Sequence, residues 1–137
     1  KTQLMIGLGM SAISDSWYGF AQNVKTVKEY QKIVKEGQIP VFRGHILSEE
    51  DLIIRKHILN IMCHFSTSWD VEHLQVKNIE ILLEKLQEMQ LDGLVSIKGN
   101  SLKIPEKARP YVRNICMAFD KRLQKNKPET KLFSMTI

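Results

Sequence analysis

The stretch Asp92-Gly93-Leu94-Val95-Ser96-Ile97-Lys98-Gly99-Asn100-Ser101-Leu102-Lys103-Ile104-Pro105 decides the fold class. Leu94 to Ile97 and Leu102 to Ile104 are short apolar runs. Between them, Lys98-Gly99-Asn100-Ser101 carries the glycine and asparagine that a tight turn requires, so the segment reads as a β-hairpin. Asp92-Gly93 ends the element before the hairpin, and Pro105 suits the first turn of a helix after it.

Working outward, Ile79, Leu82, Leu83, Leu86 and Met89 fall at helical spacing and define a helix or helix pair over 71 to 90. Ser66 to Asp70 is a run of cap-forming residues and reads as a linker. Before it, Ser48-Glu49-Glu50-Asp51 puts a hydroxyl cap ahead of three acids, which suits the positive end of a helix. Ile54, Ile58, Ile61, Met62 and Phe65 continue that pattern, predicting a core-facing helix over 48 to 64. After the hairpin, Ala108, Tyr111, Val112, Ile115, Cys116, Phe119 and Leu123 predict a helix over 105 to 126. Helices, a small hairpin and a further helix make an α+β, mainly helical domain that is winged-helix-like.

The N-terminal third has a different texture. Leu4 to Leu8 is an apolar run broken by Gly7 and Gly9, as in a buried strand whose backbone lies close to another group. Gly9 to Asn23 reads as an ordered loop. Thr26 caps a helix with Val27, Tyr30, Ile33 and Val34 on one face and Gly37 as its stop, and Pro40 to Gly44 reads as an extended connector. Lys1 is no natural initiator, so the start reads as a cut through a longer protein, whereas Phe133 to Ile137 is compatible with a natural end.

The 137 residues suit one domain plus part of another, and 43% hydrophobic with 26% charged residues is ordinary for a soluble globular chain. No apolar run approaches the roughly 18 residues of a membrane span. The net charge of +5 permits an anionic partner without choosing one. Cys63 and Cys116 both sit in helical apolar patterns and read as buried free thiols of a reducing compartment, the cytosol.

Chemistry is sparse in these residues. His57 and His64 are two turns apart and Cys63 adjoins His64, but no HxxxH, CxxC or CxxxCxxC spacing occurs, so no metal site is predicted. Gly7-Leu8-Gly9 lacks the third glycine of a dinucleotide loop and the lysine of a P-loop. It implies only a close backbone approach. Lys77, Lys85, Lys98 and Lys103 lie where a winged helix would meet DNA, yet Glu80, Glu84 and Glu88 on the same helix repel phosphate, so no nucleic acid is expected. No GxSxG elbow is present, and no catalytic residue is predicted.

Gly7-Leu8-Gly9-Met10-Ser11-Ala12-Ile13-Ser14 followed by Ala21-Gln22-Asn23 resembles the oxygen-independent coproporphyrinogen III oxidase family of radical S-adenosylmethionine enzymes. The resemblance continues through Arg43-Gly44, Leu47-Ser48-Glu49-Glu50-Asp51, Ile54-Arg55 and Met62-Cys63-His64-Phe65. It resumes at Asp92-Gly93-Leu94 and at Val112-Arg113-Asn114-Ile115-Cys116-Met117-Ala118-Phe119-Asp120, and closes with Phe133-Ser134. The sister heme chaperones carry a histidine within the segment that reads Ser11-Ala12-Ile13-Ser14 here. Ala108 stands where the oxidases usually have glycine, and Asp15 to Phe20 diverges.

The resemblance implies a two-part enzyme. Residues 1–44 would be the tail end of the catalytic domain (the last strand, loop and helix of a partial β/α barrel, with a connector), and 45–137 a helical cover domain. A [4Fe–4S] cluster and S-adenosylmethionine would sit in the full-length parent, with none bound tightly to this chain. The parent would oxidatively decarboxylate two propionates of coproporphyrinogen III to vinyls, and the chain alone would be inactive. Its partners would be its own N-terminal barrel and the tetrapyrrole, with no nucleic acid and no membrane. By resemblance Ile13 lines the second S-adenosylmethionine site, and Gln22, Asn23 and Arg43 are expected to contact substrate or the domain interface. The competing reading is a stand-alone winged-helix-like binding or scaffold module. Absence of salt-dependent DNA retention, together with exposed apolar surface around Leu4 to Leu8, would favour the enzyme, since a severed domain leaves an interface uncovered.

Overall fold

A computed structural model describes residues 4–70, 74–76 and 79–120. The chain divides into two compact units, Lys1–Leu52 and Ile53–Ile137.

The first unit is built on strands β1 (Ile13–Asp15), β2 (Gly19–Asn23) and β3 (Val41–Ile46), with helix α1 (Val27–Lys35) between the last two. The strands form one antiparallel sheet in the order β1-β2-β3. This corrects two expectations: 13–23, within the expected loop, is a β-hairpin, and the extended connector is a paired strand. The hairpin has no turn signal in the sequence because its turn contains Trp17 at a φ of 65°, a conformation more usual for Gly or Asn. Asp15 accepts from the Trp17 N–H at 2.9 Å and so steadies that turn. Leu4 to Leu8 is not a full strand; it joins the sheet through a bridge between Met5 and Asp15. The α1 signals hold: Thr26 caps Glu29, and Gly37 takes a φ of 72° where the helix stops.

Helix α2 (Glu49–His64) starts as its acids predict. Asp51 Oδ2 accepts from the Ser48 backbone N–H at 2.9 Å, while the Asp51 N–H donates to Ser48 Oγ at 3.2 Å. That reciprocal pairing is a capping box with Asp in the usual Glu position.

The second unit contains β4 (Ser66–Ser68), α3 (Ile79–Leu91), β5 (Ser96–Lys98), β6 (Ser101–Lys103), a 3-10 turn at Glu106–Tyr111 and α4 (Val112–Phe119). The predicted hairpin is present with Ile97 opposite Leu102, and β4 adds to its far side to give an antiparallel sheet ordered β4-β6-β5. β4 lies in the expected linker, because Ser-Thr-Ser carries no apolar alternation. Of the helix predicted over 71 to 90, residues 79 to 90 are helical and 71–73 and 77–78 lie outside the described residues.

The helix predicted over 105 to 126 is corrected: α-helical geometry begins only at Val112. Pro110 lacks the N–H that would bond to Glu106 in an α-helix, and the chain runs as a 3-10 helix until it has passed Pro110. Its predicted continuation beyond Asp120, with Leu123, lies outside the described residues. The core of this unit joins Ile54, Ile61, Leu82, Leu86, Leu102, Ile104, Ile115 and Phe119. Met62, expected in that core, is 40% exposed, and Cys63 is exposed while Cys116 is buried. The buried line of α2 runs through Ile54, His57 and Ile61, which leaves 62 and 63 turned away.

Candidate functional site

Three of the four residues singled out by resemblance meet in one row across the first sheet. Ile13 pairs with Gln22 on β1 and β2, and Gln22 pairs with Arg43 on β3. Residues opposite one another in antiparallel strands point to the same face, so the three side chains are neighbours. Arg43 Nε donates to Gln22 Oε1 at 2.9 Å, and Gln22 Nε2 donates to the Ser11 carbonyl at 3.3 Å. Ile13 is 50% exposed, and Arg43 is exposed. The register shifts immediately after this row, between Gln22 and Asn23, where Phe42 becomes an extra residue on β3.

Asn23 does different work. It is buried, and its side-chain nitrogen donates to the carbonyls of Gly7 at 3.2 Å and Gly9 at 2.9 Å. Two carbonyl partners fix which end of the amide is nitrogen. The glycine segment is pinned further by Ser14 Oγ, which accepts from the Gly7 N–H at 3.1 Å, and by the Tyr30 hydroxyl, which accepts from the Gly9 N–H at 3.1 Å. A Cβ on Gly7 would sit 2.7 Å from the Ile13 carbonyl oxygen. The close approach implied by Gly7-Leu8-Gly9 is therefore to β1, and it holds the backbone that carries Ile13.

On the neighbouring row Ser14, Ala21 and Gly44 floor an open apolar depression of about 480 Å³, flanked by Leu4 and Ile46. Around it the first unit exposes Leu4, Met5, Ile6, Leu8 and Ile46, with Leu8 and Ile46 each 86% exposed. The surface anticipated around Leu4 to Leu8 is thus present. His45 Nε2 approaches Asp51 Oδ2 at 3.6 Å, too long for a hydrogen bond.

Among the described residues, the polar group most deeply buried in the second unit is one that spacing rules did not single out. His57 is fully buried, its Nε2 lies 2.9 Å from the Leu74 carbonyl and its Nδ1 lies 2.7 Å from Thr67 Oγ1. A carbonyl can only accept, so Nε2 carries the proton and Nδ1 accepts the Thr67 hydroxyl hydrogen. Burial lowers the His57 pKa from its ordinary 6.5, against a smaller opposing effect of the Leu74 carbonyl. With both nitrogens occupied and the ring stacked on Phe119 at 5.8 Å, this histidine is a structural tie. Its signal was helical position alone, in line with Ile54 and Ile61.

The cysteines do not match an iron–sulfur cluster. Cys63 and Cys116 stand alone in sequence, one exposed and one buried, and no chemical step through a cluster is derived from this chain. An adenosyl ligand makes smaller demands: the half-exposed Ile13 beside Gln22 and Arg43 offers an apolar contact flanked by donors, which fits a wall of such a site.

No family model matches the chain. It is 30% identical over 136 residues to the oxygen-independent coproporphyrinogen III oxidase of Cereibacter sphaeroides, covering 94% of this chain and 29% of that protein. With the Salmonella typhimurium oxidase it shares 34% identity over 138 residues, covering 97% of this chain and 30% of the relative. The solved structure of the Escherichia coli coproporphyrinogen III oxidase, described as a radical SAM enzyme, superposes with a TM-score of 0.75 at 31% identity, covering 88% of this chain and 29% of that one. The chain thus spans about 30% of the length of the curated relatives it matches. In sequence and fold the chain matches a part, about 30% in length, of the oxygen-independent coproporphyrinogen III oxidases.

Proposed function

We propose that the chain is the C-terminal portion of an enzyme that oxidatively decarboxylates two propionates of coproporphyrinogen III to vinyl groups, giving protoporphyrinogen IX. The observation that carries this reading is the uncovered first unit. Its sheet presents Ile13, Gln22 and Arg43 in one row, and the apolar residues Leu4, Ile6, Leu8 and Ile46 stand in solvent. Exposed apolar surface of this kind marks an interface, and the occupant is an N-terminal barrel that residues 1–44 complete. Residues 45–137 form the cover.

The radical chemistry of the whole enzyme would belong to the barrel outside this chain, with its cluster and S-adenosylmethionine. This chain supplies walls and contacts. Ile13 lines the second adenosyl site, Gln22 and Arg43 present donors to substrate or interface, and Asn23 holds the Gly7–Gly9 backbone beneath Ile13. The isolated chain is inactive, and the enzyme works in the cytoplasm. Sequencing the coding DNA upstream of Lys1 tests this: an in-frame CxxxCxxC supports it, and a start codon adjoining Lys1 with no such motif overturns it.

A second reading is favoured by the second unit alone. The order β4-β6-β5, with α2 ahead of β4 and α3 between β4 and the hairpin, is what a winged-helix module would have. A stand-alone binding module would retain DNA at low salt and release it as salt rises. Against it stand Glu80, Glu84 and Glu88 along α3.

A further inference from the structure

We propose that Gln22 and Arg43 form a preset receptor for a carboxylate borne on an apolar body, with Gln22 as the positioning residue and Arg43 as the group that meets the ligand. This deepens the reading above and rests on it for the identity of the ligand, a propionate arm of the tetrapyrrole.

The geometry assigns each atom a task. A guanidinium has five N–H groups arranged in a planar fork. In Arg43 the Nε–H is taken by Gln22 Oε1 at 2.9 Å. Gln22 is itself oriented, because its Nε2 donates to the Ser11 carbonyl and so turns Oε1 toward β3. Holding Nε–H fixes the guanidinium plane and leaves the edge formed by Nη1 and Nη2 to take both oxygens of a carboxylate. The orientation is set before the ligand arrives, so less side-chain entropy is lost on binding.

The choice of amide over acid matters. A glutamate at position 22 would hold Nε–H at least as well but would neutralise the charge that attracts a carboxylate. Gln22 fixes the fork and leaves its charge intact. Among the described residues Gln22 is the hydrogen-bond partner that the structure gives Arg43. Ile13 completes the row as an apolar neighbour that is half exposed, so the ligand is a carboxylate attached to a hydrophobic frame rather than a small free anion. Asp15, Phe20 and His45 share this face one row further along.

The test is binding of coproporphyrin III, the aromatic form of the tetrapyrrole, to the 137-residue chain, alongside its fully esterified form. The unaltered chain is expected to bind the acid and to bind the ester about tenfold more weakly, the scale of one charge-assisted pair. Arg43→Gln should lose about the same factor for the acid and nothing for the ester. Gln22→Glu should lose binding of the acid just as strongly while keeping the melting temperature of the unaltered chain. A merely structural tie between the strands predicts the opposite, since the new ion pair would strengthen it and leave binding alone. No binding by the unaltered chain, equal binding of acid and ester, or full acid binding by Gln22→Glu overturns the receptor. Membership of the oxidase would stand even then, because it is judged separately by complementation of the missing barrel.

Discussion

The Asn23 side chain bonds two carbonyls of one short segment at once, those of Gly7 and Gly9, and so ties the end of β2 to the backbone that passes under Ile13. An aspartate of the same size cannot donate, and it would place charge against two carbonyl oxygens. Asn23→Asp should therefore destabilise the first unit by about 2–4 kcal/mol, combining lost donors with an unsatisfied buried acceptor. Hydrogen exchange at the Gly9 amide, itself bonded to Tyr30, reports the change. Exchange as slow as in the unaltered chain would remove Asn23 from this role.

A methyl group at Gly7 would meet the Ile13 carbonyl at 2.7 Å and the Ala12 Cβ at 2.9 Å. Neither neighbour is a flexible chain end, so the segment must move away from β1. Gly7→Ala should cost about 1–3 kcal/mol, the usual range for overpacking. It should also weaken the Gly7 amide bond to Ser14 Oγ, which an amide temperature coefficient reads. Gly9→Ala is different. Nothing lies within reach of a Cβ there, and the penalty comes only from its φ of 100°.

His57 is held neutral by burial, and its unfolded-state counterpart titrates near 6.5. Between the lowered native value and 6.5 the unfolded chain binds more protons, so stability rises with pH in that window. The His57 contribution is complete above about pH 6.5 and is lost as the pH falls below it. Denaturant melts across this range should show a decline that is absent in His57→Gln, although that variant starts less stable. Thr67→Val removes the donor to Nδ1 and should cost about 1–3 kcal/mol at neutral pH.

The thiols should separate cleanly. Cys63 is exposed, whereas burial pushes the Cys116 thiol up to about 11. Since the thiolate is the reactive form, iodoacetamide at pH 8 should label Cys63 in the native chain and both residues after unfolding. Mass spectrometry of tryptic peptides decides it. Native labelling of Cys116 would place that residue outside the core.

Much of the second unit was legible because its signals are local. The Asp92-Gly93 stop and the hairpin around Gly99-Asn100 each lie within a few residues and need no tertiary partner, and the same holds for the Ser48–Asp51 box of the first unit. What escaped depends on distant partners. β4 is a strand only because β6 lies beside it, and Ser-Thr-Ser carries no trace of that pairing. The β1–β2 hairpin hides behind a tryptophan in a left-handed turn conformation. At the site, resemblance chose Ile13, Gln22, Asn23 and Arg43. Their separation into an exposed row and a buried tie required the sheet register, since a bulge falls between Gln22 and Asn23. His57 carries no motif spacing, and its partners, Thr67 and Leu74, lie on other segments.

The most direct test of the central claim is a chimera in which this chain replaces the corresponding C-terminal part of the Escherichia coli oxidase. The readout is anaerobic conversion of coproporphyrinogen III. The chimera is expected to form protoporphyrinogen IX, and the barrel without the chain is not. A chimera that folds and carries its cluster yet leaves the substrate unchanged would contradict it.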